Sequence, residues 1–218
     1  MYSRTLFRLA LPTFLLSLYH PLATSLLHIT ARTPIAPGTE LRILPLGDSI
    51  TYGWNSTAGT DGYRLKLSTD LSGSDLLFIG TQRSGSMSDN HNEGHPGFTI
   101  SRIAAVAGPA LAMRPNIILL HAGTNDLHNR PPPANESYAD APARLGALVD
   151  ELVERCPGAV VLVAQIISVA SASAEARIRA FNEAVPGVVR ERVERGGKVA
   201  VVDMSGVGVG ELVDGSHP

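Results

Sequence analysis

The chain has 218 residues, of which 44% are hydrophobic and 17% charged, and its formal net charge is −2. This composition is typical of a globular protein, and the length suits one α/β domain. Lysine and arginine are scattered along the chain, which disfavours nucleic-acid binding, and the single cysteine, Cys156, excludes an internal disulfide.

Residues 1–25 have the organisation of a secretory signal peptide. Arg4 and Arg8 precede an apolar run from Leu9 to Leu18, and small residues follow it. The run is shorter than the roughly 20 residues of a membrane span, and prolines on either side of its centre disfavour a core helix. The segment therefore predicts a secreted, extracellular protein, with an uncleaved anchor and a core helix as the alternatives.

Two Asn-x-Ser/Thr motifs, which begin at Asn55 and Asn135, agree with export because such motifs accept N-linked glycans. Residues 26–40, which include a Pro- and Gly-containing stretch, are predicted to be a linker. Residues 41–218 are predicted to form one folded domain.

Five short apolar segments of this domain are predicted strands. They are continuously apolar and rich in β-branched residues, as expected of strands buried on both faces of a sheet. The segments are residues 41–46, 76–79, 116–120, 159–164 and 199–202.

Between these strands, apolar residues recur at helical spacing. The predicted helices are residues 63–71, 100–113, 138–155 and 174–195. Pro186 is expected to kink or interrupt the last of them. The alternation of strands and helices predicts an α/β fold, with a parallel sheet covered by helices on both faces. In such sheets ligands bind beyond the carboxyl ends of the strands.

Candidate catalytic residues follow the first strand and lie at the end of the chain. Gly47 allows a tight turn, so that the hydroxyl of Ser49 can project from the rim of the sheet. Asp214 can hold the Nδ1–H of His217, three residues later, which leaves Nε2 to take a proton from the serine. A helix cap after the strand and a polar C-terminal turn are the non-catalytic alternatives.

Two other loops carry groups suited to stabilising an oxyanion. Asn125 follows the third strand, and its amide can donate to developing negative charge. Gly97 lies in the loop after the second strand, where the missing side chain lets a backbone N–H approach a ligand. An Asx turn and a simple loop are the alternatives.

In their order along the chain, these segments resemble the block motifs of the GDSL/SGNH hydrolases. The first, second, third and fifth blocks are matched by Gly47-Asp48-Ser49, Gly97, Gly123-x-Asn125-Asp126 and Asp214-x-x-His217. The resemblance extends from about residue 41 to the end of the chain. It implies a flavodoxin-like, three-layer α/β/α sandwich with a five-stranded parallel sheet.

The resemblance also implies a role for each matched residue. Ser49 would be the nucleophile, His217 the general base and Asp214 the acid that orients it. The backbone N–H groups of Ser49 and Gly97, with the side chain of Asn125, would form the oxyanion hole. The Gly-x-Ser-x-Gly signature of the α/β-hydrolases is absent from the sequence.

A narrower similarity links the chain to carbohydrate esterases that deacetylate xylan without a metal. It rests on residues 45–53, 62–64, 93–97 and 121–126. It implies an esterase that acts on acetylated polysaccharide or another small ester. We further expect a monomer without a cofactor, with neither nucleic acid nor membrane as a partner after signal cleavage. A broad-specificity or lipid esterase of the same fold and an inactive carbohydrate-binding remnant are the alternatives.

Two residues near the blocks are assigned to substrate binding. His95 is predicted to shape the substrate loop, and Asp48 to tie the nucleophile loop to backbone donors. His91 and His95 lack the pattern of a zincin helix, so no metal site is predicted. The chain stops one residue after His217, whereas GDSL/SGNH hydrolases usually continue into a further helix, so we expect a truncated domain with a loosely held base.

Overall fold

The structure is a computed structural model that describes residues 38, 40–57, 59–128 and 136–218. The predicted signal peptide, nearly all of the predicted linker and the asparagine of the second glycosylation motif lie outside the described residues. Within the described residues, no helix combines the length and the apolar character of a bilayer-spanning segment.

Seven strands in the described part of the chain form one sheet. They are β1 (Glu40–Gly47), β2 (Asp75–Phe78), β3 (Gln82–Arg83), β4 (His91–Gly94), β5 (Ile117–His121), β6 (Val160–Ala164) and β7 (Val199–Val202). The strand order is β3-β4-β1-β5-β6-β7, and β2 also pairs with β1. The five predicted strands are β1, β2, β5, β6 and β7, and all of their pairings are parallel.

Two strands, β3 and β4, were not predicted from the sequence, and they are antiparallel to each other. β4 reads His-Asn-Glu-Gly and so carries no apolar pattern, yet it pairs with the last two residues of β1. The first half of β1 pairs instead with β2, and its other edge pairs with β5. The loop after β1 therefore emerges from the interior of the sheet, between β4 and β5.

The helices of the described residues lie between these strands. They are α1 (Ser49–Tyr52), α2 (Tyr63–Asp70), α3 (Ile100–Val106), α4 (Gly108–Leu111), α5 (Thr124–His128), α6 (Ala141–Arg155) and α7 (Ala172–Glu194). The helix predicted over residues 100–113 is thus divided into α3 and α4. The short helices α1 and α5, which begin directly beyond the ends of β1 and β5, have no counterpart among the predicted helices.

The interruption expected at Pro186 is wrong, because α7 runs continuously through this residue. Proline has no N–H to donate to the carbonyl four residues earlier, which belongs to Asn182. The side chain of Gln165 donates to that carbonyl oxygen at 3.1 Å. The packing of α7 beside β6 therefore supplies the hydrogen bond that the proline removes.

Alternating side chains of β1 point to two different apolar layers. Leu44 and Leu46 belong to the larger core, which includes the buried faces of α3, α6 and α7. Leu41 and Ile43 belong to a smaller cluster, against which Leu67 of α2 packs. Helices thus cover both faces, and the predicted α/β fold with a central parallel sheet is confirmed.

On the face of the sheet that α2 covers, β5, β6 and β7 are only partly covered. A cavity of about 380 Å³ lies beside α2, and its sheet side is lined by Leu119, Leu162 and Val202 of β5, β6 and β7. The candidate site residues lie beyond the carboxyl ends of β1, β4 and β5 and in the segment that follows β7, and the last two of them meet Ser49 at this edge of the sheet.

Candidate active site

The turn between β1 and α1 brings Ser49 to the rim of the sheet. A Cβ atom at Gly47 would overlap the carbonyl oxygen of His121 and the side chain of Thr51, so only glycine fits here. Ser49 begins α1, and only 9% of its surface is exposed. The serine hydroxyl is thus held in a fixed, largely desolvated position.

Asp48 holds this turn from below. Its Oδ1 accepts a hydrogen bond from the backbone N–H of Ile50 at 3.0 Å, which caps the first turn of α1. The residue has no exposed surface. A side chain so buried offers no atom to a substrate, so the part of Asp48 in the site is to hold the nucleophile loop.

The structure brings Ser49, His217 and Asp214 together. The Nε2 of His217 lies 2.9 Å from the Oγ of Ser49, and its Nδ1 lies 2.8 Å from the Oδ2 of Asp214. Both distances are those of hydrogen bonds. This arrangement allows the imidazole to accept the serine proton while the carboxylate fixes its orientation.

Asp214 accepts further hydrogen bonds that keep it ionised. Asn55 Nδ2 donates to Oδ2 at 2.9 Å, while the backbone N–H groups of Ser216 and His217 donate to Oδ1 at 3.0 and 2.9 Å. Partial burial by itself would raise the pKa of Asp214. The hydrogen bonds from Asn55, His217 and Ser216 outweigh that effect and hold the pKa well below its usual range.

Backbone hydrogen bonds fasten the turn that carries Asp214 and His217. Ala170 N–H donates to the carbonyl of Gly215 at 2.9 Å, and Thr57 N–H donates to the carbonyl of Pro218 at 3.1 Å. The loop after β6 and the segment after α1 thus hold the turn from two sides. These bonds connect the base to the rest of the fold, and the loosely held base expected from the sequence stays a prediction.

The predicted oxyanion residues meet at the ends of β4 and β5. Gly97 has φ +79°, a left-handed backbone that favours glycine, and His95 N–H in the same loop donates to the carbonyl of Gly47 at 2.9 Å. Asn125, at the start of α5, donates through Nδ2 to the carbonyl of Phe98 at 3.0 Å. This bond ties the Asn125 amide to the Gly97 loop and uses one of its two N–H groups.

His95 is held in place by Glu93, a role that was not predicted from the sequence. Its Nε2 lies 2.7 Å from the Oε1 of Glu93, which has only 1% of its surface exposed and also accepts hydrogen bonds from Thr81. The imidazole stacks on the ring of Phe98, with centroids 4.9 Å apart. Glu93 thus orients His95 beside the Gly97 loop. Both residues stand in the matched segment 93–97, but no sequence pattern indicates that their side chains pair.

Asp126, the last residue of the third matched block, lies directly after Asn125 and forms a buried pair that was not predicted. Asp126 has no exposed surface and accepts hydrogen bonds from the N–H of Ile100 at 2.9 Å and from Arg144 Nη2 at 2.9 Å. Burial raises the pKa of this carboxyl, and the hydrogen bonds and the guanidinium of Arg144 only partly oppose it. The pair joins α5 to α3 and α6, and so fixes the backbone on which Asn125 stands.

Across the described residues, no group of three or more histidine, cysteine, aspartate or glutamate side chains is placed to hold a metal. The histidine pair weighed in the sequence analysis is engaged elsewhere. His91 Nδ1 lies 3.0 Å from Asp89, and His95 is paired with Glu93.

Comparison with known proteins identifies the family. Residues 46–216 match the model of the GDSL-like lipase/acylhydrolase family. The chain belongs to this family. Membership confirms the predicted class of enzyme, a carboxylic ester hydrolase, and the matched range begins just before Gly47 and ends next to His217.

Individual relatives of this GDSL-like chain are esterases. A multidomain esterase of Ruminococcus flavefaciens is 33% identical over an alignment of 160 residues, and the alignment covers 61% of this chain and 20% of that protein. The chain therefore spans about a fifth of the length of this curated relative.

Two solved structures similar to this GDSL-like chain are family 3 carbohydrate esterases. The one from Clostridium thermocellum is 30% identical, with a TM-score of 0.65 over 78% of this chain and 80% of that chain. The one from Talaromyces cellulolyticus is 26% identical, with a TM-score of 0.65 over 82% and 88% of the two chains.

Proposed function

We propose that this chain is a secreted serine esterase that removes acetyl groups from plant polysaccharide such as xylan. The observation that carries the proposal is the continuous hydrogen-bonded series from Ser49 through His217 to Asp214. A hydroxyl with an imidazole at 2.9 Å, and a carboxylate behind that imidazole, is the arrangement that activates serine for attack on an ester.

The reaction follows from this arrangement. His217 Nε2 takes the proton of Ser49 as Oγ bonds to the ester carbonyl carbon, and a tetrahedral intermediate forms. The imidazolium then gives its proton to the alcohol oxygen of the sugar, the C–O bond breaks and the acyl-enzyme remains. Water attacks the acyl-enzyme by the same route, which releases acetate and the free serine. Asp214, which stays ionised, stabilises the imidazolium at each step.

The negative oxygen of the intermediate needs donors that are already in place. In this proposal they are the N–H of Ser49, the N–H of Gly97 and the side-chain amide of Asn125. Two observations support the proposal. Gly97 has a left-handed backbone conformation, and the side-chain amide of Asn125 is oriented by its hydrogen bond to the carbonyl of Phe98 in the same loop.

The acetylated substrate is supported by the similarity to two family 3 carbohydrate esterases. The match to the multidomain esterase covers only a fifth of that protein, so its activity cannot be transferred to this chain directly. The polysaccharide substrate is therefore a proposal. Secretion rests on the signal-like residues 1–25.

A second candidate function is hydrolysis of esters with longer, apolar acyl chains. A cavity of about 280 Å³ adjoins the C-terminal turn, and its lining includes Ile50, Trp54, Ile167 and Pro218. Rates on p-nitrophenyl esters of increasing acyl length distinguish the two functions. A rate that is highest with acetate supports the first, and one that rises with acyl length supports the second.

The direct test is acetate release from acetylated xylan by the wild type and by Ser49→Ala. We expect release by the wild type and loss of roughly three or more orders of magnitude in kcat without the hydroxyl. If both proteins are equally inert but both bind the polymer, the chain is instead a carbohydrate-binding module, and the esterase proposal is wrong.

A further inference from the structure

The carboxylate of Asp214 is more exposed to solvent than the imidazole that it contacts. Its side chain is 37% exposed, compared with 17% for His217. An exposed carboxylate can rotate into water and exchange partners. Its orientation therefore depends on the donors that surround it, and these donors are not equivalent.

Three of the four donors described for Asp214 belong to its own turn. They are the N–H groups of Ser216 and His217, both on Oδ1, and the Nδ1 of His217 on Oδ2. The fourth is Asn55 Nδ2, which donates to Oδ2 at 2.9 Å from 159 residues away. Among these four donors, Asn55 is the one that bonds the carboxylate directly to a part of the fold outside the turn.

Asn55 is rigidly connected to the nucleophile. It follows Ser49 by six residues, and the N–H groups of Gly53 and Trp54 both donate to the carbonyl of Ser49, at 3.0 and 2.9 Å. Asn55 itself has φ 51°, a left-handed conformation that asparagine tolerates better than most residues. A short, hydrogen-bonded segment thus runs from Ser49 to Asn55, whose side chain contacts Asp214.

We infer that Asn55 is a positioning residue that sets the angle of the Asp214 carboxylate against His217, an inference that rests on the proposed function. Oδ2 receives Asn55 from one side at 2.9 Å and the imidazole from the other at 2.8 Å. Without the amide, the carboxylate rotates and the imidazole loses its alignment with Ser49. The chemical step then slows, while substrate binding at the Gly97 and Asn125 loops is unchanged.

Asn55→Gly and Asn55→Asp test this role in chains made in a host that does not glycosylate. Glycine keeps the left-handed backbone without strain and removes the donor, while aspartate keeps the shape and replaces the donor by a second carboxylate. We expect Asn55→Gly to lower kcat on p-nitrophenyl acetate about 10- to 100-fold, with KM changed less than about twofold. Asn55→Asp is expected to lose more, because two carboxylates repel each other.

The matched control is Arg114→Gly, since Arg114 is the other non-glycine residue with a positive φ in the described part of the chain, and it lies at the opposite end of the sheet. Its kcat should equal that of the wild type. The proton resonance of the His217–Asp214 hydrogen bond should shift in both Asn55 variants and not in Arg114→Gly.

The outcomes separate the inference from the function. If Ser49→Ala keeps wild-type activity, the proposed function itself fails. If Ser49→Ala is inert and Asn55→Gly retains wild-type kcat and resonance position, the positioning role is overturned and the function stands. A loss of kcat in Asn55→Gly that only matches a loss of folded protein, measured by thermal unfolding, also overturns the inference.

Discussion

The side chain of Arg64, which has no exposed surface, donates through Nη2 to the hydroxyl oxygen of Ser84 at 2.7 Å. The carbonyl oxygens of Tyr52 and Thr60 lie 3.1 and 2.9 Å from the same nitrogen, whose two hydrogens are shared among these acceptors. One buried guanidinium therefore joins the end of α1, the start of α2 and the segment after β3. This junction lies directly behind the segment that carries Ser49 and Asn55.

Arg64→Lys should destabilise the fold even though it keeps the positive charge. An ammonium group lacks the planar fork that reaches several carbonyls at once. Because hydrogen bonds to a charged donor contribute about 1.5–3 kcal/mol each, we expect the free energy of unfolding to fall by about 2–4 kcal/mol. Urea denaturation followed by circular dichroism measures it. Arg190→Lys, at an exposed position of α7, is the control, and an equal change in both variants would contradict the prediction.

Asp61 fastens the neighbouring loop in a way that depends on pH. Burial by itself would raise its pKa, but hydrogen bonds from the N–H of Met87 and from the hydroxyl and N–H of Ser86 outweigh burial and lower it. The folded-state pKa thus lies below the unfolded value of about 3.9. The stabilisation is therefore fully present above about pH 4 and is lost as the pH falls through the folded-state pKa.

Asp61→Asn should remove this dependence. At neutral pH we expect the variant to lose about 1–3 kcal/mol in the free energy of unfolding, because the amide replaces an ionised acceptor of three hydrogen bonds. As the pH falls below about 4, the difference between wild type and variant should shrink. Urea denaturation at pH values on both sides of this point is the measurement. A difference that stays constant with pH would show that the charge of Asp61 is not what stabilises the loop.

Asn125→Ala should slow catalysis without unfolding the protein. Loss of one oxyanion donor lowers kcat by about 100- to 1,000-fold in enzymes that use such a donor. The variant also loses the bond to the carbonyl of Phe98, so thermal unfolding must be measured beside the kinetics. Asn125→Asp, which keeps the shape of the side chain, should be at least as slow. A kcat within about fivefold of wild type in both variants would show that Asn125 does not stabilise the oxyanion as proposed.

Several parts of this fold could be predicted because they depend on patterns of neighbouring residues in the sequence. Apolar, β-branched runs predict the five parallel strands, and the carboxyl ends of parallel strands share an edge. The predicted meeting of Ser49, Asp214 and His217 follows from that rule together with the family motifs.

The missed features depend on partners that are distant in the sequence. β4 is polar and is a strand only because the end of β1 offers it a pairing edge. Pro186 remains helical because Gln165 reaches the free carbonyl of Asn182. Arg64 has the local pattern of an ordinary helix residue, although its Nη1 and Nη2 contact carbonyl oxygens of four other residues.

Asn55 shows how one local pattern can carry two meanings. Its motif, Asn55-Ser56-Thr57, indicates N-glycosylation, yet the nitrogen that would bear the sugar lies 2.9 Å from Asp214. A glycan bonded there would need the space that the carboxylate occupies. We therefore expect chains that carry this glycan to have a lower kcat than chains without it.

Thr57→Val tests this expectation in a glycosylating host. Valine has nearly the shape of threonine, abolishes the motif and leaves Asn55 and the backbone bond from residue 57 to Pro218 in place. Wild-type and Thr57→Val proteins are compared by intact mass and by kcat on p-nitrophenyl acetate. We expect Thr57→Val to be the more active preparation in proportion to the glycosylated fraction of the wild type. Equal kcat values for glycosylated and unglycosylated chains would mean that the Asn55 amide can carry a sugar and still hold Asp214.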